Sequence, residues 1–572
     1  MHIMPFFKRN VPITFLAIIV LFAFIIRTYE LNSIPQGVLD DEASHGYIAY
    51  SLLHTQKDER GNYLPLHFEA FGDEKLPAYP YILTLFISIF DLNNFSTRFP
   101  SALAGSLLVL VIYGLLRSLD SGHIESLFAS MLVAFSPWSI VLSRLAFESN
   151  VALLFFTIGL WTMFLALKNP RRSSVLLTII FFAATWYTYI PYRWVTSFFV
   201  VFFIARLWTS RIISFRHCFM VLVLFLLLIL PLIPHSIGID GTTRLRQIGL
   251  YNDSGIKHMV DDKRGYCMQY LPQSICVALA NRPFSISIEV IFNVIRSLSP
   301  EFLFLTGEKN ILYLSVPNWG VLLLHLLPFY IFGLMAIFTR KPRKKFIQVL
   351  VLISLIIVTL PSAMVGMPQR VRLSALLPFI VIVITYGYGY VSNKLQNSIH
   401  RNLLFGFISF ITLGYGFAFL LEFLYFHIPK FKIDYESDVP SVMRYIHDNA
   451  NDELVYFEKF NNNFPILYAY HNKINPEDYQ NHTIYSPVDS GGFSHPVEYK
   501  NIKRADKQLS ELICIHKNNG TSFWYVSTEK IQQLKLMPEL PVFTELSGDK
   551  QSTIVYIYRI DPATYQEMMC DE

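Results

Sequence analysis

The chain has 572 residues, of which 53% are apolar and 16% charged, with a formal net charge of +5. A soluble protein carries about a quarter charged residues, so a soluble enzyme is excluded. Apolar runs of around twenty residues recur from Val11 onwards and indicate a polytopic membrane protein; no nucleic-acid partner is expected.

Lys8 and Arg9 precede a first apolar run, Val11–Tyr29, with no small-residue cleavage site after it, so an uncleaved first span is expected. Directly beyond it lies Leu39-Asp-Asp-Glu-Ala-Ser-His-Gly-Tyr, with three consecutive carboxylates, Asp40, Asp41 and Glu42. A second acidic pair, Asp73 and Glu74, precedes Lys75 and a Pro-Tyr-Pro-Tyr passage. Pro77–Leu92 is apolar but short and contains Pro80, which predicts an interfacial helix, since a span needs about 20 residues. Further spans are expected at 97–117, 124–143, 149–167, 173–190, 193–209, 217–236, 318–339, 346–364, 372–391 and 402–424, about eleven with the first.

Basic residues test this count. It sends Arg117, Lys168–Arg172, Arg206–Arg216, Arg340–Lys345, Lys394 and Arg401 to the cytoplasmic side, as the positive-inside rule requires. If 77–92 crossed the bilayer, every later loop would change sides and the rule would fail. The expected domains are a membrane catalytic domain, 1–424, with a first outer loop 30–96 and a large outer loop 237–317, and a soluble outer α/β domain, 425–572.

In the tail, Asp438-Val-Pro-Ser begins like a capped helix with proline in its first turn. Stretches at Leu454–Phe457, Ser522–Ser527 and Thr553–Tyr558 read as strands. Cys267, Cys276, Cys514 and Cys570 all fall outside, where disulfides form. Cys267 and Cys276 could close a short loop, and Cys514 and Cys570 could tie down the end of the tail. No Cys/His spacing suggests structural zinc.

Charge near lipid is rarely kept without a task. Asp40, Asp41 and Glu42 serve either as a juxtamembrane helix cap or as a general base taking a proton from an attacking hydroxyl. Arg370 and Arg372 lie on the side that the positive-inside rule depletes of cations. They are headgroup anchors or, with Lys75, a clamp on an anionic phosphate. Arg144 and Glu148 stand at helical spacing, either as a structural ion pair or as part of the same site. No phosphate-cradling glycine loop is present, so a nucleotide donor is not indicated. A lipid phosphate, lying at the interface level with these loops, fits better.

These residues resemble a known family. Asp41-Glu42, Lys75-Leu-Pro-Ala-Tyr and Ser96-Thr-Arg98-Phe-Pro100-Ser-Ala-Leu-Ala-Gly105 are similar to the D-E, K-P-P-L-Y and R-L-P-S-A-L-A-G elements of GT-C glycosyltransferases. Within these, they resemble glycosyltransferase family 39, with its protein O-mannosyltransferases and lipid A aminoarabinose transferases. Ser143-Arg144-Leu-Ala-Phe-Glu148 resembles the family's second acidic loop, with Glu where Asp is commoner. Ser299–Glu308 and Arg370-x-Arg372 resemble bacterial members.

The resemblance implies a GT-C fold with about eleven transmembrane helices, interfacial helices in the first loop and an outer α/β domain. It implies inverting sugar transfer from a polyprenyl-phosphate donor to a protein, lipid or glycan hydroxyl. Asp41 takes the role of base, with Asp40 or Glu42 assisting, and Lys75 binds the donor phosphate. Asp73, Glu74, Arg144, Glu148, Arg370 and Arg372 complete the expected substrate site. A divalent metal is left open, and no other cofactor is implied. The expected setting is a bacterial inner membrane with the active site facing out, rather than the endoplasmic reticulum. The rival reading, a lipid-linked sugar flippase or other transporter, fits less well because transporters place substrate near the midplane on broken helices.

Overall fold

The computed structural model describes residues 3–70, 73–237, 249–309, 311–339, 345–431, 436–458, 463–488, 494–528, 542–546 and 555–561. The chain divides into two compact units, Met1–Tyr29 with Arg98–Phe423, and Glu30–Thr97 with Leu424–Glu572. The first seven helices are α1 (Ile3–Thr28), α2 (Asp40–Thr55), α3 (Ala78–Phe90), α4 (Asn94–Ser118), α5 (His123–Phe135), α6 (Pro137–Ser143) and α7 (Glu148–Lys168).

The first unit is helical. Among the described residues of the chain, eight helices are long and apolar enough to cross a membrane, or nine if α5 and α6 form one span bent by 53°. Seven of the eight lie at expected spans, and the α5–α6 pair lies at another. Three expected spans are present as shorter apolar helices, at 12–28, 172–186 and 324–337. Gln273–Ser297, read from sequence as loop, is long and apolar enough instead. Its charges Arg282, Glu289 and Arg296 recur every seventh residue and share one face, while Phe284, Ile288, Ile291, Phe292 and Ile295 present an exposed apolar face.

The bend between α5 and α6 follows from one proline. Pro137 has no N–H to give the Val133 carbonyl, and the Trp138 N–H turns instead to the carbonyl of Val321, at 2.9 Å. Two carbonyls, Val133 and Ala134, would be left without partners inside a bilayer, where each costs several kcal/mol (roughly 2–7). Arg27 of α1 answers both: its Nη2 donates to Val133 O at 3.2 Å and its Nη1 to Ala134 O at 3.1 Å. The network continues from Arg27 to Ser139 and Ser143, and from Asn150 of α7 to Ser143 and Ser101. Gly105, one turn beyond Ser101 on α4, faces Ser143, and an added Cβ would lie 1.9 Å from the Ser143 Oγ. The Ser101…Gly105 pattern thus lets α4 close on the break. Elsewhere in the unit, a Cβ on Gly387 would lie 1.8 Å from the Phe329 carbonyl, so helices Leu327–Thr339 and Leu377–Lys394 pack backbone to backbone. Cys267 and Cys276 form the expected disulfide.

The second unit joins the first loop to the tail. The sequence assigned 30–96 to the membrane domain; by contact it belongs with residues 424–572. The reason is a set of polar and aromatic contacts that the loop cannot make alone. The Tyr47 hydroxyl donates to Ile474 O at 3.0 Å, and its ring packs on Tyr479. Gln480 donates to Ser51, Thr55 and the Asp58 carbonyl. Arg60 holds Glu69 at 3.2 Å, and both bind Ser494.

The tail is a seven-stranded mixed sheet, β4-β5-β6-β3-β7-β9-β8. Its strands are β3 (Leu454–Glu458), β4 (Thr483–Tyr485), β5 (Pro496–Tyr499), β6 (Ile502–Arg504), β7 (Phe523–Ser527), β8 (Val542–Leu546) and β9 (Val555–Ile560). The parallel neighbours β6, β3 and β7 form its centre. The expected helix is Val439–Asn449, with Pro440 in its first turn. Cys514 is disulfide-bonded; Cys570, the side chain of Asp73 and the basic run 340–344 lie outside the described residues.

Candidate functional site

In the second unit the three carboxylates form the first turn of α2 and separate into three roles. Glu42 is buried and its Oε2 accepts from the Leu39 N–H at 3.3 Å, so this member of the run is the helix cap. Asp40 Oδ2 accepts from the Asn463 side chain at 2.7 Å. Asp41 Oδ1 meets the Lys75 ammonium at 2.6 Å. The side chain of Asp41 is 62% exposed while that of Lys75 is 5% exposed. The cation is embedded and the carboxylate is open.

Lys75 is placed by a two-stranded antiparallel hairpin of the loop, β1 (Phe68–Ala70) and β2 (Asp73–Lys75), in which it pairs with Phe68. Alternation along β2 sends Glu74 to the opposite face, where its Oε2 lies 3.3 Å from His67 Nε2. Glu59, passed over in the sequence, is buried beside Asp58, Arg60 and Lys75, and its Oε2 has no hydrogen-bond partner among the described residues. Burial pushes its carboxyl up to about 8, with Asp58 adding to the rise and Arg60 and Lys75 opposing it.

In the first unit, Arg144 is fully buried and donates through Nη1 to the Ile26 carbonyl at 3.0 Å. Glu148 opens α7, where a carboxylate favours the helix dipole. Arg370 is buried against Glu308, Nε to Oε2 at 3.3 Å, and its carbonyl accepts from the Trp138 indole at 2.9 Å. Burial raises the Glu308 carboxyl, against the pull of Arg370 and Arg372. Glu308 stands in the motif that carries the resemblance, yet its partner lies 62 residues away, which sequence spacing does not reveal.

Among the described residues no three His, Cys, Asp or Glu side chains converge to hold a metal ion.

Residues 74–235 match the family described as dolichyl-phosphate-mannose-protein mannosyltransferase. No curated protein matches the sequence. Among solved structures, ArnT from Cupriavidus metallidurans bound to undecaprenyl phosphate is similar with a TM-score of 0.52 at 11% identity, over 95% of this chain and 97% of that one. The oligosaccharyltransferase AglB from Archaeoglobus fulgidus gives 0.47 at 12% identity, over 81% and 64%. The fold and the matched segment define an integral membrane protein of the GT-C fold. The family match covers residues 74–235, and the likeness to ArnT is one of fold.

Proposed function

We propose that the protein transfers a sugar from a polyprenyl-phosphate donor to an acceptor hydroxyl, with inversion, and that Asp41 and Lys75 carry the reaction. The observation behind this reading is their 2.6 Å contact, with the lysine embedded and the carboxylate open. In a single displacement the anomeric carbon–phosphate bond breaks as the bond to the acceptor oxygen forms, through an oxocarbenium-like state. Asp41 accepts the hydroxyl proton, and Lys75 stabilises the departing lipid phosphate. The pair also has an order of events. A donor phosphate competes with Asp41 for the Lys75 ammonium, so donor binding loosens the contact and frees the carboxylate to act as base.

Asp40, bound to Asn463, supports the turn. By side-chain type and by the family resemblance, Asp73 and Glu74 are further substrate contacts. The acceptor is a protein, lipid or glycan; the distribution of basic loops supports this chemistry on the outer face, and the resemblance to bacterial members supports a bacterial inner membrane. The test is transfer from polyprenyl-phosphate sugars in reconstituted membranes. Asp41→Asn should lower turnover by about 10²–10⁴-fold and Asp40→Asn should be milder. The reverse order shifts the base by one position, and full activity in both removes it.

A further inference from the structure

A cleft of about 830 Å³ opens in the sheet domain of the second unit, a volume in the range of small-molecule sites. It lies where the parallel strands β3 and β7 begin, with Leu454 opposite Phe523. Its floor is rigid. Trp524 and Arg559 are direct cross-strand partners on β7 and β9, and both hold Glu453. The Arg559 Nη2 donates to Glu453 Oε1 at 2.7 Å and its Nε to Oε2 at 3.0 Å, while the Trp524 indole donates to Oε2 at 2.7 Å. The ring of Tyr445 packs edge-on against Trp524. This fork, with the Arg559 contact foremost, holds the Glu453 carboxyl below its ordinary range.

The rim offers the opposite, groups with nothing to do. The side chains of Asn451, Asp452 and Ser522 line the cleft and make no hydrogen bond or ion pair among the described residues. The Asn451 backbone lies in the left-handed region, φ +46°, and its carbonyl is tied by Asn501, which fixes the turn that presents these side chains.

The chemistry selects a ligand class. Two carboxylates face one guanidinium, so a phosphate or nucleotide would be repelled. Amide, carboxylate, hydroxyl and guanidinium together supply both acceptors and donors, and Trp524 with Leu454 adds an apolar wall. Vicinal hydroxyls on a ring with an apolar face match this lining. We propose that the cleft binds a neutral saccharide, as a glycan-holding site separate from the Asp41–Lys75 pair; the assignment of that glycan to the acceptor rests on the transferase reading above.

The experiment is titration calorimetry on the full chain in detergent with three probes, mannotriose, maltotriose and triacetylchitotriose. The expected result is that at least one probe binds, that Asp452→Ala and Asn451→Ala each weaken it by about ten-fold, and that Asp41→Asn leaves it unchanged. Binding of none of the three, or binding lost in Asp41→Asn but unchanged in Asp452→Ala, overturns the proposal. The transfer assay is read separately. Saccharide binding without any transfer keeps the cleft and removes the transferase, whereas transfer without binding does the reverse.

Discussion

Two carboxylate–cation pairs, one in each unit, are built on opposite plans. Asp41 is 62% exposed over a lysine that is 5% exposed, whereas Glu308 and Arg370 show 0% and 2% of their side chains. An open carboxylate can release its partner to a ligand and remain solvated. A sealed pair cannot, because parting it leaves a charge in a low-dielectric interior. The first plan suits a site that exchanges partners during a reaction. The second fixes the segment 301–308 to the turn at 370 and orients Arg370.

The largest effect expected from this contrast is on turnover. Asp41→Asn should lower it by about 10²–10⁴-fold while the melting temperature stays at the wild-type value; a comparable fall in melting would make Asp41 a structural residue like Glu308. The sealed pair should behave in the opposite way. Arg370→Met strands the Glu308 carboxyl and should cost about 3–5 kcal/mol of stability, with most of it recovered in the double variant Arg370→Met, Glu308→Leu. A denaturation series reads this, and no loss in the single variant would show that the pair is not sealed in solution.

A smaller loss is expected at the helix break. Gly105→Ala drives a methyl into Ser143 and should cost about 1–3 kcal/mol, eased by Ser143→Ala; an unchanged melting point would mean that α4 does not close on the break as described.

A further effect is pH-dependent. Glu59 holds its proton up to about 8 in the folded chain against an ordinary value of 4.5. The folded state therefore binds more protons than the unfolded one between these limits, and stability declines as pH rises from 4.5 towards 8, then levels off. Glu59→Gln should flatten that slope and melt higher than wild type above pH 8. Parallel melting curves for the two proteins across this window would place the Glu59 carboxyl in contact with solvent.

What could be read in the sequence was local. The acidic run, Lys75, the proline-capped helix at 439, strands β3, β7 and β9 and the Cys267–Cys276 bridge all depend on neighbours within a few residues. What could not be read depends on distant partners. Asp40 meets Asn463 across 423 residues, and the loop's place beside the tail rests on such contacts. The run Asp58-Glu-Arg-Gly-Asn reads as a solvated turn, and only the packing around it shows that Glu59 is buried. The helix Gln273–Ser297 was missed because its charges interrupt the apolar run in sequence while lining up on one face in space.

The central claim is that Asp41 and Lys75 do different work in one site, and donor binding tests it without any acceptor. Binding of undecaprenyl phosphate to the reconstituted protein should weaken by about ten-fold or more in Lys75→Ala. In Asp41→Asn it should stay equal or tighten, because the lysine no longer has a competing carboxylate. Weakened binding in Asp41→Asn, or unchanged binding in Lys75→Ala, would contradict the account.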